Sequence, residues 1–279
     1  MTSLDPPAPA LRDIVSRALA EDLGVLGDVT SIACIGEDQT AVAAFVAREE
    51  GVLAGTAAVD EVYRQVDGCA SVEWRMRDGE SIDAGMELGR LTGPLRSILQ
   101  GERVALNLLS HCSGVASLTR RYVRAARGRV RIRDTRKTIP GLRALQKAAV
   151  RAGGGFNHRD SLSDAVLIKD NHLAVLGLAR AVERAKARWP GRIVEVECDS
   201  IEQVKEAADI GVDIVLLDNM PPELVAEAVQ VLGGAAKVEV SGRISLDAVG
   251  AYAETGADFI SVGALTHSVR VLDIGLDVL

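Results

Sequence analysis

The stretch that decides the fold runs from residue 193 to residue 217, where IVEVEC (193–198) is followed by DSIEQVKEAAD (199–209) and DIVLL (213–217). The two outer segments are short and mainly apolar, which is typical of parallel strands that are buried on both faces. The middle segment has helical spacing and begins with Asp199 and Ser200, which are suitable capping residues. This stretch therefore predicts a strand–helix–strand unit of a parallel α/β sheet.

The same rhythm extends over the second half of the chain. Strands are predicted at 130–134, 165–169, 193–198, 213–217, 237–240 and 258–262. Helices are predicted between the last five strands, at 178–188, 201–209, 222–231 and 246–254. Such a series forms either a doubly wound sheet or a (β/α) barrel, and we favour a barrel with fewer than eight strands. Residues 153–156 are a candidate seventh strand.

The first half has the pattern of a smaller α+β unit. We expect helices at 11–21 and 57–65, strands at 40–48, 51–54 and 71–76, and a long helix at 103–125 that leads into the second half. The turn pairs Asp78-Gly79 and Ala84-Gly85 predict hairpins near Ile82 and Leu88.

Composition excludes several classes of protein. The 279 residues are 48% hydrophobic and carry a formal net charge of −7, which argues against general nucleic-acid binding. No apolar run reaches the ~18 residues that span a bilayer, and the first ten residues lack the pattern of a secretory signal. The four cysteines are scattered without metal-type spacing, so we expect free thiols in a cytoplasmic protein.

Positive charge is concentrated in the middle of this acidic chain. Residues 120–172 contain fourteen Lys and Arg residues against four Asp and no Glu. A basic window in an acidic protein predicts a site for a small polyanion. Four of the arginines have helical spacing and are expected to form an exposed stripe: Arg120, Arg121, Arg124 and Arg127. The later basic residues lie beside predicted strand ends.

Functional groups in such folds gather at the carboxyl ends of the strands. Arg136, Arg159 and Lys169 follow the early strands and are candidates for binding carboxylates, with His158 as a further hydrogen-bond donor. Each of them has a structural alternative, since a basic side chain at a strand end also caps or pairs with neighbours.

The later strands end in carboxylates and small residues. Glu197 and Asp218 suit a Mg²⁺ site, although either could instead neutralise a nearby arginine. Two turns offer backbone N–H groups to a phosphate: Ser241-Gly242 and Gly263-Ala264. The run Gly153–Gly155 is also explained by a helix end and a tight turn.

Several long strings in this region resemble the quinolinate phosphoribosyltransferase family. They are RDTRKTIPGLR (133–143), GGGFNHR (153–159), LIKDNH (167–172), VEVE (194–197), LLDN (216–219) and GALTHS (263–268). The resemblance extends to EDLG (21–24), GDVTS (27–31) and GER (101–103). Because many strings match in order over nearly the whole chain, this resemblance is far more specific than a single short motif.

The resemblance implies a reaction and an architecture. Quinolinate and phosphoribosyl pyrophosphate (PRPP) would give nicotinate mononucleotide, pyrophosphate and CO₂, with Mg²⁺, as a step of NAD biosynthesis. An N-terminal α/β sandwich would comprise residues 1–112, joined by the tail 268–279, and a partly open barrel would comprise residues 113–267. The enzyme would be a homodimer in which each site borrows Arg103 from the partner subunit.

The resemblance also implies roles for single residues. Quinolinate would contact Arg103, Arg136, Lys137, His158, Arg159 and Lys169. Glu197 and Asp218 would serve the ribose and the Mg²⁺–pyrophosphate, and Ser241, Gly242, Gly263 and Ala264 would hold the ribose phosphate. Lys137, Lys169, Glu197 and Asp218 are the expected catalytic residues.

One position departs from the family pattern. The family usually reads Ser-Gly-Gly-Ile where this chain has Ser241-Gly242-Arg243-Ile244. Three alternatives to this function stay open: a diverged relative that acts on another aromatic acid, a Schiff-base aldolase that uses Lys169 at a strand end, and a catalytically silent binding subunit.

Overall fold

The computed structural model describes residues 4–279, and these residues divide into two compact units. The first unit contains the described residues up to Arg120 together with Thr138–Gly154 and Leu265–Leu279. The second unit contains Arg121–Lys137 and Gly155–Ala264. The boundary expected between residues 112 and 113 lies inside the long helix α4, Leu95–Ala125, and the predicted division into domains stays a prediction.

The first unit is built on an antiparallel sheet of four strands in the order β12-β1-β5-β3. Its strands are β1 (Thr40–Ala47), β2 (Gly51–Val52), β3 (Ser71–Trp74), β4 (Ser81–Ile82), β5 (Glu87–Pro94) and β12 (Ile274–Val278). Its helices are α1 (Ala8–Leu23), α2 (Val29–Cys34), α3 (Thr56–Val66), α5 (Arg143–Ala152) and most of α4; α11 (Ala264–His267) begins at the unit boundary. The chain's last strand thus pairs with its first, with Ala43 opposite Val278.

The centre of β1 is buried on both faces, since Ala43, Ala44 and Phe45 are all buried. Phe45 is fully buried and its ring stacks on Trp74, with the ring centroids 5.4 Å apart. Helix α3 packs on β3, and α1 packs on α3 in turn. The predicted α/β character of the N-terminal region is confirmed.

Three details of the first unit differ from the sequence expectations. The predicted hairpins are wrong, because Ile82 in β4 pairs with Gly51 in β2 and β5 pairs with β1 and β3. A short helix, α2, follows Asp28, whose side chain accepts the N–H groups of Thr30 and Ser31 as an N-cap. Helix α5 was not predicted.

The expected exposed arginine stripe is only partly correct. Arg120 is half-buried and donates to the carbonyl oxygens of Gly153 (2.9 Å), Gly79 (3.1 Å) and Ala152 (3.2 Å). It therefore satisfies two carbonyl groups at the end of α5 and one in the turn at Gly79, whereas Arg121, Arg124 and Arg127 are exposed as predicted.

The second unit is a parallel sheet of six strands in the order β6-β11-β10-β9-β8-β7. The strands are β6 (Arg131–Arg133), β7 (Val166–Ile168), β8 (Val194–Cys198), β9 (Ile214–Asp218), β10 (Lys237–Ser241) and β11 (Phe259–Ser261). The helices are α6 (Asp170–Leu176), α7 (Leu178–Arg188), α8 (Ile201–Ile210), α9 (Pro222–Leu232) and α10 (Val249–Ala253).

All six predicted strands and all four predicted helices of this unit are present. The strands β6 and β7 stand at opposite ends of the sheet order, which agrees with a partly open barrel. The candidate seventh strand is reduced to a single parallel bridge between Phe156 and Arg133, because Gly153 ends α5 and leaves too few extended residues. Across the described part of the chain, no helix is long and apolar enough to cross a membrane.

Candidate active site

A cavity of about 250 Å³ in the second unit collects side chains from the carboxyl ends of the parallel strands. It is lined by Thr135, Arg136, Lys137, His158, Arg159, Leu167, Lys169, Glu197, Leu216, Asp218, Glu239, Ser241 and Ser261. Eight of these residues are among those predicted from the sequence: Arg136, Lys137, His158, Arg159, Lys169, Glu197, Asp218 and Ser241. The cavity thus combines the cations predicted after the early strands with the carboxylates predicted at the later ones.

Lys169 and Glu197 connect the basic and the acidic side of this cavity. The Nζ of Lys169, which follows β7, donates to a carboxylate oxygen of Glu197 on the neighbouring strand β8. The side chain of Lys169 is 44% exposed and that of Glu197 is 15% exposed. On the next strand, Asp218 accepts a hydrogen bond of 2.6 Å from the side chain of Asn219. Both carboxylates therefore line the cavity, and Glu197 is paired with a cation.

The basic side continues into a second cavity of about 570 Å³. The two cavities share Arg136, Arg159, Leu167 and Lys169, and the second extends to Trp189 and Arg192. Neither Asp nor Glu is among the residues that line it. An anionic molecule entering from this side would meet positive charge before it reaches Glu197.

The turn that carries His158 and Arg159 is held by Asp134, which is completely buried. Its two carboxylate oxygens accept the side-chain amide of Asn157 (2.5 Å) and the backbone N–H of His158 (2.9 Å). Arg159 donates from its guanidinium to the carbonyl oxygen of Ala165 (3.0 Å). Burial and the neighbouring Arg136 lower the pKa of Arg159, which nevertheless remains a cation at neutral pH.

Below this turn lies a buried ionic network that the sequence reasoning missed. His158 Nε2 is 3.1 Å from a carboxylate oxygen of Glu195 and 3.4 Å from one of Glu239. Glu239 also accepts from Arg133 Nη1 (2.6 Å) and from Ser261 Oγ. Both glutamates are almost fully buried. Their positions on predicted strands were visible in the sequence, and a carboxylate inside an apolar strand was the available signal.

Burial and opposing charges act on the titratable groups of this network. Burial, reinforced by the charge of Glu195, raises the pKa of Glu239. Burial alone would lower the pKa of His158, but the two glutamates outweigh it and raise the pKa. His158, Glu195 and Glu239 each offer one ligand atom within 4.8 Å of the others, a grouping that could hold a metal ion.

The residues predicted to bind phosphate lie at the ends of β10 and β11. Gly242 has a φ of +112°, and a Cβ atom there would lie 2.5 Å from Asn219 Oδ1 and 2.6 Å from Asn219 N. Only glycine fits this close approach between two neighbouring strand ends. Arg243 is exposed and has a φ of +48°. Gly263 and Ala264 follow β11 after Val262, and Ala264 is the first residue of α11.

One predicted site residue belongs to the other unit. Arg103 lies on α4 in the first unit and its side chain is 64% exposed. Its Nη2 is 3.9 Å from Oε1 of Glu102. The structure of the single chain leaves its predicted role across a dimer interface as a prediction.

The arrangement fits the chemistry of a substrate with anionic groups and a reacting centre that becomes positive. The cations of the cavity can hold carboxylates in a fixed register. Its carboxylates can stabilise a cationic carbon as a leaving group departs.

Comparisons with known proteins agree with this geometry. The family profile described as quinolinate phosphoribosyl transferase, C-terminal domain, matches residues 115–277, and the corresponding N-terminal domain profile matches residues 28–113. The chain is 45% identical over 277 residues to a nicotinate-nucleotide pyrophosphorylase (carboxylating) of Mycobacterium leprae, covering 96% of this chain and 97% of that one. It is 41% identical over 271 residues to a probable nicotinate-nucleotide pyrophosphorylase (carboxylating) of Bacillus subtilis, covering 96% and 93%. The solved structure of the nicotinate-nucleotide pyrophosphorylase from Francisella tularensis superposes with a TM-score of 0.93 at 40% identity, covering 98% and 97%.

Proposed function

The chain belongs to the quinolinate phosphoribosyltransferase family, and from this membership and the pocket we propose the reaction that it catalyses. It transfers the phosphoribosyl group of PRPP to the nitrogen of quinolinate and removes the adjacent carboxylate as CO₂. The products are nicotinate mononucleotide, pyrophosphate and CO₂, and the reaction is a step of NAD biosynthesis. The chain is therefore a pentosyltransferase of the kind named nicotinate-nucleotide pyrophosphorylase (carboxylating), a name that describes the reverse reaction.

One observation carries this proposal. A single cavity of about 250 Å³ is lined both by the cations Arg136, Lys137, Arg159 and Lys169 and by the carboxylates Glu197 and Asp218. A pyridine dicarboxylate needs the first group, and a ribose carbon that loses pyrophosphate needs the second. Few small-molecule reactions require both within one cavity of this size.

The cations supply binding and orientation. We assign the two carboxylates of quinolinate to Arg136, Lys137, Arg159 and Lys169, with His158 in support and Arg103 supplied by a second copy of the chain. Arginine offers a planar pair of donors to a carboxylate, and lysine offers a compact charge. Holding both carboxylates fixes the ring nitrogen in line with the ribose carbon, which lowers the entropic cost of attack.

The carboxylates act on the ribose. As pyrophosphate departs, the ribose carbon becomes cationic, and Glu197 and Asp218 stabilise that charge from fixed positions. The ring nitrogen attacks with its own electron pair, so no general base is needed for this step.

The same carboxylates fit Mg²⁺. Both are hard oxygen donors on adjacent strands and line the same cavity, and Mg²⁺ is commonly held by one or two carboxylates together with substrate phosphates. When bound, Mg²⁺ offsets the negative charge of the departing pyrophosphate.

Decarboxylation follows from the first step. The ribosylated ring nitrogen is positive and withdraws electrons from C2, so the carboxylate at C2 leaves as CO₂ and its bonding electrons remain on C2. A proton from solvent then binds to C2 and gives nicotinate mononucleotide. We assign the stabilisation of that charge to Lys137 or Lys169. Lys137→Ala and Lys169→Ala should slow decarboxylation more than ribosylation, and equal slowing of both steps would contradict the assignment.

The phosphate of PRPP would bind where β10 and β11 end. Ser241 lines the cavity, and Gly242, Gly263 and Ala264 offer backbone to an anion that needs close approach. We further infer that the enzyme is a homodimer working in the cytoplasm, for which the free state of its four cysteines is suitable.

The proposal is tested by initial rates with Mg²⁺, PRPP and one of three acids: quinolinate, nicotinate, or a pyridine dicarboxylate with its carboxylates in other positions. Quinolinate alone should be consumed, because only its two adjacent carboxylates meet the cations in register with the nitrogen. Glu254→Gln changes an exposed carboxylate that pairs with Arg129 away from the cavity, and as a control it should show the same rates and the same preference for quinolinate as the wild type. Equal rates with nicotinate would contradict the proposal.

A further inference from the structure

The ring of His158 uses both of its nitrogen atoms within the protein. Nδ1 accepts the backbone N–H of Arg159 at 2.7 Å. Nε2 lies 3.1 Å from Glu195 and 3.4 Å from Glu239. The side chain of His158 is only 10% exposed. Its ring is thus clamped between the next residue of the chain and two carboxylates.

These contacts determine where the ring proton is located. An N–H group that points at Nδ1 requires a lone pair on that atom, so the proton must be on Nε2. Nε2–H then faces carboxylate oxygens, which only accept hydrogen bonds when they are ionised. The orientation in which Nδ1 holds Arg159 is therefore stabilised by Glu195 and Glu239.

Glu239 is itself fixed by further donors. Glu239 accepts from Arg133 and from Ser261, and the guanidinium carbon of Arg133 lies 3.5 Å from the ring centroid of Phe259. A metal ion among the three side chains would have to replace the proton on Nε2 and share Glu239 with an arginine. The contacts favour a hydrogen-bond network over a metal site.

We propose that Glu195 and Glu239 are positioning residues, which hold the Nε2–H form of His158 so that its Nδ1 fixes the backbone of Arg159 and aims the Arg159 guanidinium at the substrate. This inference rests on the proposed function for the nature of the ligand, a dicarboxylate. It assigns His158 an indirect part in binding, through Arg159, and it gives a purpose to two buried charges outside the catalytic set.

Two substitutions of His158 separate the indirect role from a direct one. Asn carries an acceptor oxygen near the position of Nδ1, whereas Gln carries an N–H donor near the position of Nε2. His158→Asn should keep the KM for quinolinate within about threefold of wild type, and His158→Gln should raise it about tenfold. The KM for PRPP should change little in either variant. If Gln preserves the quinolinate KM and Asn does not, His158 donates directly to the substrate and the proposal is wrong.

Substitution of the carboxylates tests the other end of the network. Glu195→Gln and Glu239→Gln should each raise the KM for quinolinate several-fold at a nearly constant KM for PRPP. The exposed Glu254→Gln should change neither. Equal increases in both KM values would show a general loss of structure and contradict positioning. If Glu239→Gln does not fold, the two His158 variants still decide.

Nitrogen NMR of the wild-type protein tests the inference without turnover. The chain has four histidines, so the signals of His158 can be assigned by comparison with His158→Asn. The two glutamates raise the pKa of His158, but the N–H of Arg159 that points at Nδ1 opposes a proton on that atom. The proposal therefore predicts a proton on Nε2 and a lone pair on Nδ1 at neutral pH, and the opposite tautomer in Glu195→Gln or Glu239→Gln would support it further. An imidazolium ring, a proton on Nδ1, or a shift of these signals on adding Mg²⁺ or Zn²⁺ alone would overturn it. Absence of turnover with quinolinate would refute the proposed function and leave this spectroscopic result standing.

Discussion

Replacement of Gly242 by alanine tests the close approach between the ends of β9 and β10. Gly242 has a φ of +112°, and the added Cβ would lie 2.5 Å from Asn219 Oδ1 and 2.6 Å from Asn219 N. The left-handed backbone costs a non-glycine residue about 1–2 kcal/mol. Moving the backbone of Asn219 out of the way adds about 1–3 kcal/mol. We expect Gly242→Ala to lose about 2–5 kcal/mol of stability or to shift the strand ends by a corresponding amount.

Gly234 provides a matched control for this change. It has a φ of +89°, and nothing lies within 4 Å of an added Cβ, so Gly234→Ala carries only the backbone cost. In thermal melts, each kcal/mol should lower Tm by about 2–4 °C, and Gly242→Ala should melt clearly below Gly234→Ala.

The activity of the same pair connects the packing to the site. Gly242 lies between Ser241 and Arg243, and Asn219 follows Asp218, so a shift there disturbs the proposed phosphate end of the cavity. Gly242→Ala should raise the KM for PRPP at least about tenfold, while Gly234→Ala leaves it unchanged. Equal melting temperatures for the two variants, with the same KM for PRPP, would refute the reasoning.

Three further changes can be measured with the same protein. Arg243→Gly relieves the cost of about 1 kcal/mol that a positive φ imposes on a non-glycine residue, but glycine also makes the unfolded chain more flexible, which lowers stability by a similar amount. Tm and the KM for PRPP should therefore change little. A large gain in activity would show that Arg243 obstructs the loop. Asp28→Ala removes the N-cap of α2 and should cost about 0.5–1 kcal/mol at neutral pH. Hydrogen bonds from Ser31 lower the pKa of Asp28. The stabilisation by the cap is therefore complete above the ordinary Asp pKa of about 3.9 and is lost as the pH falls through the lower pKa of the folded state. Urea melts of wild type and variant should converge in acid, and a constant difference in stability would contradict the cap. Burial raises the pKa of Cys112 and of Cys198 to about 12, so a thiol reagent should modify only the exposed Cys34 and Cys69 before denaturation, and a third rapidly reacting thiol would contradict this burial.

The parallel sheet was predictable because its signals are local. The sequence IVEVEC (193–198) has strand pattern, and the helix after it begins with a serine that accepts the N–H of Gln203. Helix α7 has the predicted bounds, Leu178–Arg188. By contrast, β4 pairs with β2, about thirty residues earlier in the chain, and no turn residue signals a pairing at that distance.

The site residues that lie at the ends of strands could be predicted from the sequence. Strand register brings Lys169, Glu197 and Asp218 into one cavity, as their positions after β7 and at the ends of β8 and β9 required. Glu195 and Glu239 could be seen as charges on strands, but their roles depend on Arg133 and His158, which are distant in sequence. Arg120 was misjudged because helical spacing does not show that carbonyl oxygens lie within its reach.

The central claim is that one cavity performs both phosphoribosyl transfer and decarboxylation. The most direct test is to supply quinolinate labelled at the C2 carboxylate, with PRPP and Mg²⁺, and to count labelled CO₂ and nicotinate mononucleotide in the same reaction. The account predicts one CO₂ and one mononucleotide for each quinolinate consumed. Accumulation of a ribosylated dicarboxylate without CO₂, or release of CO₂ in the absence of PRPP, would contradict it.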